Sequence, residues 1–367
     1  MKFQAAVMHE LGQPLALAEV TLDHLERTDV LVKLHSSGLC HTELEILQGA
    51  IPARVPMVMG HEGAGVVEAV GADVRTVKPG DHVICSWNPH CGHCFYCVRD
   101  QPILCETIGP NAPKSLMPDG TSRLQLDGKL LHQFSYVASH AEYTVISEAG
   151  AIPIPNGMPL DRACLIGCGV MTGVGGAIRV ARVAVGASTV TFGCGIVGLS
   201  AIQGARLAGA GINIAVDVNQ ERLDLASRLG ATHMINAKTQ DVVEQVRSLT
   251  HGRGADYTFE AAGTQGTMQN SLEAARPGGM VVILGKVPFQ DHVSCRFGSL
   301  FGEKVITRSS YGGARPVRDF PMLSQLYLDG KLQLDELLTK RITLDQVSET
   351  FDGMARGELL RAVIVFN

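Results

Sequence analysis

The stretch STVTFGCGIVGLSAIQGARLAGAGINIAVD, residues 188–217, decides the fold class. Thr189 to Phe192 are β-branched or aromatic, the composition of a buried strand. Gly193-Cys194-Gly195-Ile196-Val197-Gly198 then spells GxGxxG at the start of a helix-like run, and the next strand-like run ends on Asp217, 24 residues after Gly193. Each part has a physical task. Gly193 permits the tight turn, Gly195 lets a pyrophosphate approach the backbone, and Gly198 lets the helix pack on the sheet, while the helix N-terminus favours the anion. Asp217 is placed to accept hydrogen bonds from the adenosine ribose. Val218 and Asn219 follow it, with no Arg for an extra phosphate, so the pattern favours NAD over NADP. The bland reading, glycines that only turn a buried loop, leaves the acidic residue unexplained.

Downstream, strand-sized and helix-sized runs alternate: a helix near Glu221–Leu229 stopped by Gly230, HMIN, a helix over Asp241–Leu249, DYTFE, a helix ending near Arg276, and MVVILG. Such alternation predicts βαβ units and a doubly wound parallel sheet. The residues from Val183 to Ala205 carry no charge and could be mistaken for a membrane span, but five glycines interrupt them, so a strand, turn and helix fits better. Upstream, short apolar runs such as VLVKL, GVVEAV and HVICSW, punctuated by Gly and Pro, predict a compact β-rich domain. The apolar strand AVIVF closes the chain.

Composition narrows the function. In 367 residues, 46% hydrophobic content fills two cores and excludes a disordered chain. Lys plus Arg number 31 against 36 acidic residues, a net charge of -5 with no basic block, so nucleic acid is not an expected partner. The N-terminal MKFQAAVMHELGQP lacks the apolar core of a secretory signal, and a cytoplasmic protein with no membrane partner is expected.

Four of ten cysteines, Cys91, Cys94, Cys97 and Cys105, fall within fifteen residues. In a reducing compartment this spacing reads as metal before disulfide, and four thiolates close a tetrahedral zinc shell with no open position. An iron–sulfur cluster can use the same four ligands. A nucleic-acid-binding knuckle is disfavoured by the neighbouring Asp100 and Glu106.

Three further segments set ligand-type residues beside glycine: Gly38-Leu39-Cys40-His41-Thr42-Glu43, Gly60-His61-Glu62 and Gly167-Cys168-Gly169. Taken with the four-cysteine lobe, the dinucleotide fingerprint and their order along the chain, they make the sequence resemble the zinc-dependent alcohol dehydrogenases of the medium-chain dehydrogenase family, from about Ala5 to Phe366. The resemblance implies an α/β chain. A β-rich GroES-like catalytic domain (1–169 and 312–367) carries a structural zinc lobe (91–105), and a Rossmann domain (170–311) binds NAD.

It also implies roles. Cys40, His61 and Cys168 would bind a catalytic Zn²⁺ with a fourth position open, giving two zinc ions per chain. Glu62 and Glu43 match carboxylates that tune the metal and orient its neighbours. Thr42 matches the hydroxyl that passes the alcohol proton toward the cofactor ribose; where many relatives continue the relay with His, this chain has Glu45, and Glu45 or solvent is expected to take the proton. His41 and Arg361 match residues on the cofactor pyrophosphate, so NAD⁺ affinity is expected to depend on pH through His41. Thr172 and Val197 match residues at the nicotinamide. Arg222 matches a basic residue beside the adenosine ribose, although an exposed helix Arg reads nearly as well.

By the same resemblance Ile51, Trp87, Pro110, Phe134 and Tyr311 line an apolar pocket, which implies reversible oxidation of a primary alcohol with a hydrophobic, aromatic or medium-chain body to its aldehyde. Glutathione-dependent formaldehyde dehydrogenases carry Arg where this chain has Gly109, which disfavours that substrate. The segment Glu106–His140 resembles the long insertion of dimeric members, so a homodimer is expected. Two alternatives remain beside this reading. A polyol or amino-alcohol dehydrogenase of the same fold is disfavoured by Cys168, and a non-catalytic zinc- or dinucleotide-binding protein would show no open metal position.

Overall fold

The computed structural model describes residues 1–288 and 290–366. The chain packs as two compact units, one built from Met1–Cys168 with Arg315–Asn367 and the other from Gly169–Ala314.

In the first unit, strand Asp29–Gly38 is the hub. It pairs antiparallel with Glu62–Val70, with Tyr143–Ser147 and with the late strand Ala362–Val365, which pairs in turn with Lys340–Ile342. His82–Cys85 and Ala151–Pro153 complete this seven-stranded sheet. Strands Lys2–Met8 and Ala16–Leu22 anchor a second sheet of six strands. In Asp29–Gly38 both faces are covered along much of its length, with Val30, Val32 and Leu34 on one side of the core and Leu31 on another. The hub strand matters for function because it ends two residues before Cys40.

In the second unit the strands lie in the order His233–Asn236, Ile212–Asp217, Ser188–Phe192, Ala255–Glu260, Ala275–Ile283, Val305–Arg308, all parallel. Numbered along the chain this is 3-2-1-4-5-6, the doubly wound order with its crevice between strands 1 and 4. Ser188–Phe192 is buried throughout, as a central parallel strand with both faces covered should be. The helices begin where capping chemistry allows. Asn219 accepts hydrogen bonds from the Glu221 and Arg222 amides, and Asp241 accepts one from Glu244. The uncharged stretch after Val183 is a strand and a helix, Ile196–Leu207. One other helical stretch, Leu160–Ala181, is long and apolar enough to cross a membrane, but 72% of its most apolar window is buried inside the fold, as befits a core helix.

Candidate active site and metal centres

Cys40 is the N-cap of the short helix His41–Leu47. Glu43, in the first turn of that helix and fully buried, accepts a hydrogen bond from the Cys40 amide at 3.2 Å and from the His61 amide at 3.1 Å. Its Oε1 also lies 2.5 Å from His61 Nδ1. One carboxylate thus joins the two ligand-bearing segments and occupies Nδ1, leaving Nε2 as the nitrogen that can ligate a metal. Cys168 arrives from a π-helical turn, Ile166–Val170, a distortion that re-aims side chains within a helix. The ligand atoms of Cys40, His61, Glu62 and Cys168 all lie within 4.8 Å of one another.

The electrostatics of this cluster suit a cation. A hydrogen bond from the Cys168 thiol, working against burial, holds the Cys40 thiol well below its ordinary range, while Cys168 itself is raised. A metal held here would take both sulfurs as thiolates. Burial pushes the Glu62 carboxyl up to about 8. Arg361 Nη2 stands 3.2 Å from Glu62 Oε1, yet neither Glu62 oxygen has an aligned hydrogen bond among the described residues. Arg361 is 2% exposed and also donates to the Leu39 carbonyl, so in this unit it clasps the residues flanking Cys40 and His61. Sequence reading cast Glu62 as a tuning carboxylate only; here it stands within the ligand set itself.

Thr42 places its hydroxyl 3.8 Å from the Cys40 sulfur. Glu45 follows three residues on in the same helix, half-buried, and His41 is exposed at the helix start. Two aromatic rings meet the His61 imidazole edge-on: Phe134 with centroids 5.5 Å apart and Trp87 at 6.4 Å, both at 84°. Ile51 packs on the cluster that contains Phe134. Pro110 is exposed in the turn Gly109–Lys114, and Tyr311 is buried in the second unit.

In the second unit, Gly193 has φ +91° and lies against Ala262, and a Cβ on Gly198 would come within 1.7 Å of the Gly193 carbonyl oxygen. Gly195 differs. It caps the helix Ile196–Leu207 without a side-chain bond, and a Cβ there would meet nothing within 4 Å. The helix N-terminus therefore opens onto free space with amides to offer an anion. Asp217 is nearly buried at the end of its strand, accepting from the Cys194 amide at 2.6 Å and the Asn219 amide at 2.9 Å. Arg222 is half-exposed on the following helix, and Thr172 is buried in the helix Met171–Gly175. Sequence reading passed over Glu260, buried at the end of the fourth strand, whose Oε1 accepts from Ala262, Gly263 and Thr267 and so holds the turn that faces Gly193.

The lobe cysteines also converge, with all four sulfurs within 4.8 Å. Cys91 and Cys97 stand 3.9 Å apart and Cys94 and Cys105 4.0 Å. A tetrahedron with Zn–S bonds of ~2.3 Å has edges of about 3.8 Å. An iron–sulfur cluster would interpose several atoms and spread the thiolates further, so the spacing favours a single ion. The Cys91 sulfur accepts the Cys94 amide at 3.3 Å, and amide and hydroxyl donors, outweighing burial, bring its thiol down to about 5.

Comparison with known proteins agrees with this geometry. Residues 26–156 match the alcohol dehydrogenase GroES-like domain and residues 197–329 the zinc-binding dehydrogenase domain. Over its full length the chain is 39% identical to the whole of S-(hydroxymethyl)glutathione dehydrogenase from Paracoccus denitrificans. The chain belongs to the zinc-dependent alcohol dehydrogenases. Among solved structures, a zinc-binding-domain alcohol dehydrogenase protein from Burkholderia ambifaria superposes with TM-score 0.95 at 34% identity, covering 100% of this chain and 99% of its own. Benzyl alcohol dehydrogenase from Acinetobacter calcoaceticus does so with TM-score 0.94 at 30% identity, covering all of both chains.

As an alcohol dehydrogenase of this family the protein uses zinc and NAD(H). The donor sets fit. Four clustered thiols suit a closed structural ion, two thiols with one imidazole suit an ion with a position to spare, and the open cradle at Gly195 suits a pyrophosphate.

Proposed function

We propose that this dehydrogenase oxidises a primary alcohol with a hydrophobic, aromatic or medium-chain body to its aldehyde, reversibly. The observation that carries the reading is the pair of rings, Trp87 and Phe134, set edge-on against His61 beside the thiols of Cys40 and Cys168. Aromatic faces beside the ligand cluster desolvate an apolar substrate and shut out water.

In this reading Cys40, His61 and Cys168 hold the catalytic zinc and Cys91, Cys94, Cys97 and Cys105 the structural one. Zinc held there would supply the Lewis acidity that lets an alcohol ionise near neutral pH, and NAD⁺ would supply the hydride acceptor. Glu43 keeps the His61 ring in one tautomer and orientation. Thr42 relays the substrate proton, its hydroxyl accepting that proton while passing its own on toward the cofactor ribose, and Glu45 or solvent takes it up. His41, Thr172, Gly193, Gly195, Ile196, Val197, Gly198, Asp217, Arg222 and Arg361 serve the cofactor. Ile51 extends the apolar wall beside Phe134; Pro110 and Tyr311 are assigned to it on the family resemblance alone.

A second reading has its own support, since the P. denitrificans relative is named for S-(hydroxymethyl)glutathione. An anionic tripeptide conjugate needs a cationic contact, and Gly109 stands where such enzymes carry Arg. Initial rates of NADH formation with benzyl alcohol, octanol and S-(hydroxymethyl)glutathione separate the two. We expect kcat/KM to favour the apolar alcohols by tenfold or more; preference for the glutathione adduct would overturn the reading.

Association as a homodimer in the cytoplasm belongs to the same proposal. It is supported by the edge strand Val305–Arg308, whose Val305 and Ile306 are exposed, and by the nearby exposed Phe297–Phe301 ring pair. Light scattering on the eluted protein decides it.

A further inference from the structure

Behind the His61 turn lies a buried polar cluster that the proposed reaction does not use. Ser37, three residues before Cys40, points its hydroxyl at two neighbours, Ser139 Oγ at 2.7 Å and His140 Nδ1 at 2.9 Å. All three residues are fully buried. The backbone beside them grips the ligand turn: the Ser139 amide donates to the Gly60 carbonyl at 3.0 Å and the His140 amide to the Met59 carbonyl at 2.8 Å. Contact is close enough to dictate sequence. Gly60 has φ +94°, and a Cβ on it would fall 2.5 Å from both the His140 amide nitrogen and Nδ1, and 2.7 Å from Ser139 Oγ.

An imidazole is an odd filler for such a place. Its ring lies tilted at 47° to that of Phe351 with centroids 6.1 Å apart, a site where an apolar ring would pack, and its Nε2 is buried with no hydrogen-bond partner among the described residues. Leaving one ring nitrogen unpaired costs stability, so the bond made by the other must return something that an apolar side chain would not. What the residue ties together is informative: Nδ1 holds the end of the strand that leads to Cys40, through Ser37, while its backbone amide holds the turn that carries His61 and Glu62.

We propose that His140, held by Ser37 and Ser139, is a positioning residue that locks the Gly60–His61–Glu62 turn against the Cys40 strand and so retains the catalytic metal. The proposal rests on the reading of Cys40, His61 and Cys168 as that metal's ligands. Small displacements of a ligand matter because metal shells tolerate little error in donor position. His140 touches neither substrate nor metal in this scheme and acts only through the turn.

The test compares the two metals of one molecule. Holoenzyme carrying both zinc ions is mixed with a chromogenic chelator and the two release phases are followed, the lobe ion serving as internal control. His140→Phe preserves ring volume and deletes Nδ1. It should release the catalytic zinc at least tenfold faster, with the lobe phase unchanged and the thermal midpoint within a few degrees of wild type, and should shift the d–d bands of the cobalt-substituted catalytic site. His140→Asn, which returns a polar atom near Nδ1, should restore most of the retention. Unchanged release and spectrum in His140→Phe would overturn the proposal, as would equal acceleration of both phases, which would mark His140 as general packing. Should His140→Phe fail to fold, Ser139→Ala removes one hydroxyl and must speed the catalytic phase alone; no effect there overturns the clamp as well. A wild-type chain that holds only one zinc fails earlier, at the stoichiometry, and sinks the ligand reading itself.

Discussion

Gly195 and Gly198 are both glycine for opposite reasons. At Gly198 the protein itself leaves no room, whereas at Gly195 the space belongs to nothing in the chain. Two substitutions should therefore part company. Gly195→Ala is expected to leave the thermal midpoint nearly unchanged while weakening NAD⁺ binding tenfold or more by fluorescence titration, and Gly198→Ala should destabilise the folded protein outright. If Glu45 serves the relay, Glu45→Gln should alter the pH profile of kcat with little change in KM, and an unaltered profile would remove Glu45 from the relay. Residues of this kind are legible in sequence because a glycine or a ligand at fixed spacing records a geometric demand. The edge-on approach of Trp87 and Phe134 to His61, or the bond from Ser37 to His140, leaves no such record. Those contacts join positions about 26 to 103 apart in the chain, with no period or spacing to announce them.

Among elements, the parallel sheet was the more readable half. Its strands are continuous apolar runs and its helices start at Asn219 and Asp241, side chains that declare a cap. The β-rich unit was readable only as a class, because its pairings are long-range and several strands have two or three residues. Charge holds some of its pieces together. Asp161, in the helix Leu160–Leu165, pairs with Arg162 at 2.7 Å and with Arg341 of the strand Lys340–Ile342 at 2.9 Å, while Arg162 reaches Asp335 at 2.7 Å. Burial would raise the Asp161 carboxyl, but hydrogen bonds and charge from Arg162 and Arg341 outweigh it and hold the group below its ordinary range. A folded-state value below the unfolded one makes the contribution complete above about pH 4 and lost as the pH falls through the folded value. Asp161→Asn should cost about 1–3 kcal/mol at neutral pH and flatten the loss of stability below pH 4, measured by denaturant unfolding across that range. A steeper buried pair, Arg123 with Asp29 at 2.5 Å, offers a stronger case: Arg123→Leu strands a buried carboxylate and should cost about 3–5 kcal/mol.

For the whole molecule, the two metals should be separable. Metal analysis should find about two zinc ions per chain, and Cys97→Ser should lower that to about one while loosening the lobe before any other region, as limited proteolysis would show. NAD⁺ at a hundred times its dissociation constant should stabilise the fold it binds by about 2.7 kcal/mol. The order of events during synthesis carries a further consequence. The hub strand Asp29–Gly38 acquires its neighbour Ala362–Val365 from the far end of the chain, and Arg361, adjoining that strand, is what closes on Leu39 and Glu62. Until Ala362–Val365 has been made, a nascent polypeptide therefore exposes an incomplete seven-stranded sheet, while the contiguous nucleotide unit can mature in the interval. If Cys40 and His61 hold the catalytic zinc as proposed, loading there waits for Arg361, and ribosome-stalled chains that stop before Arg361 should hold the lobe ion and not the catalytic one.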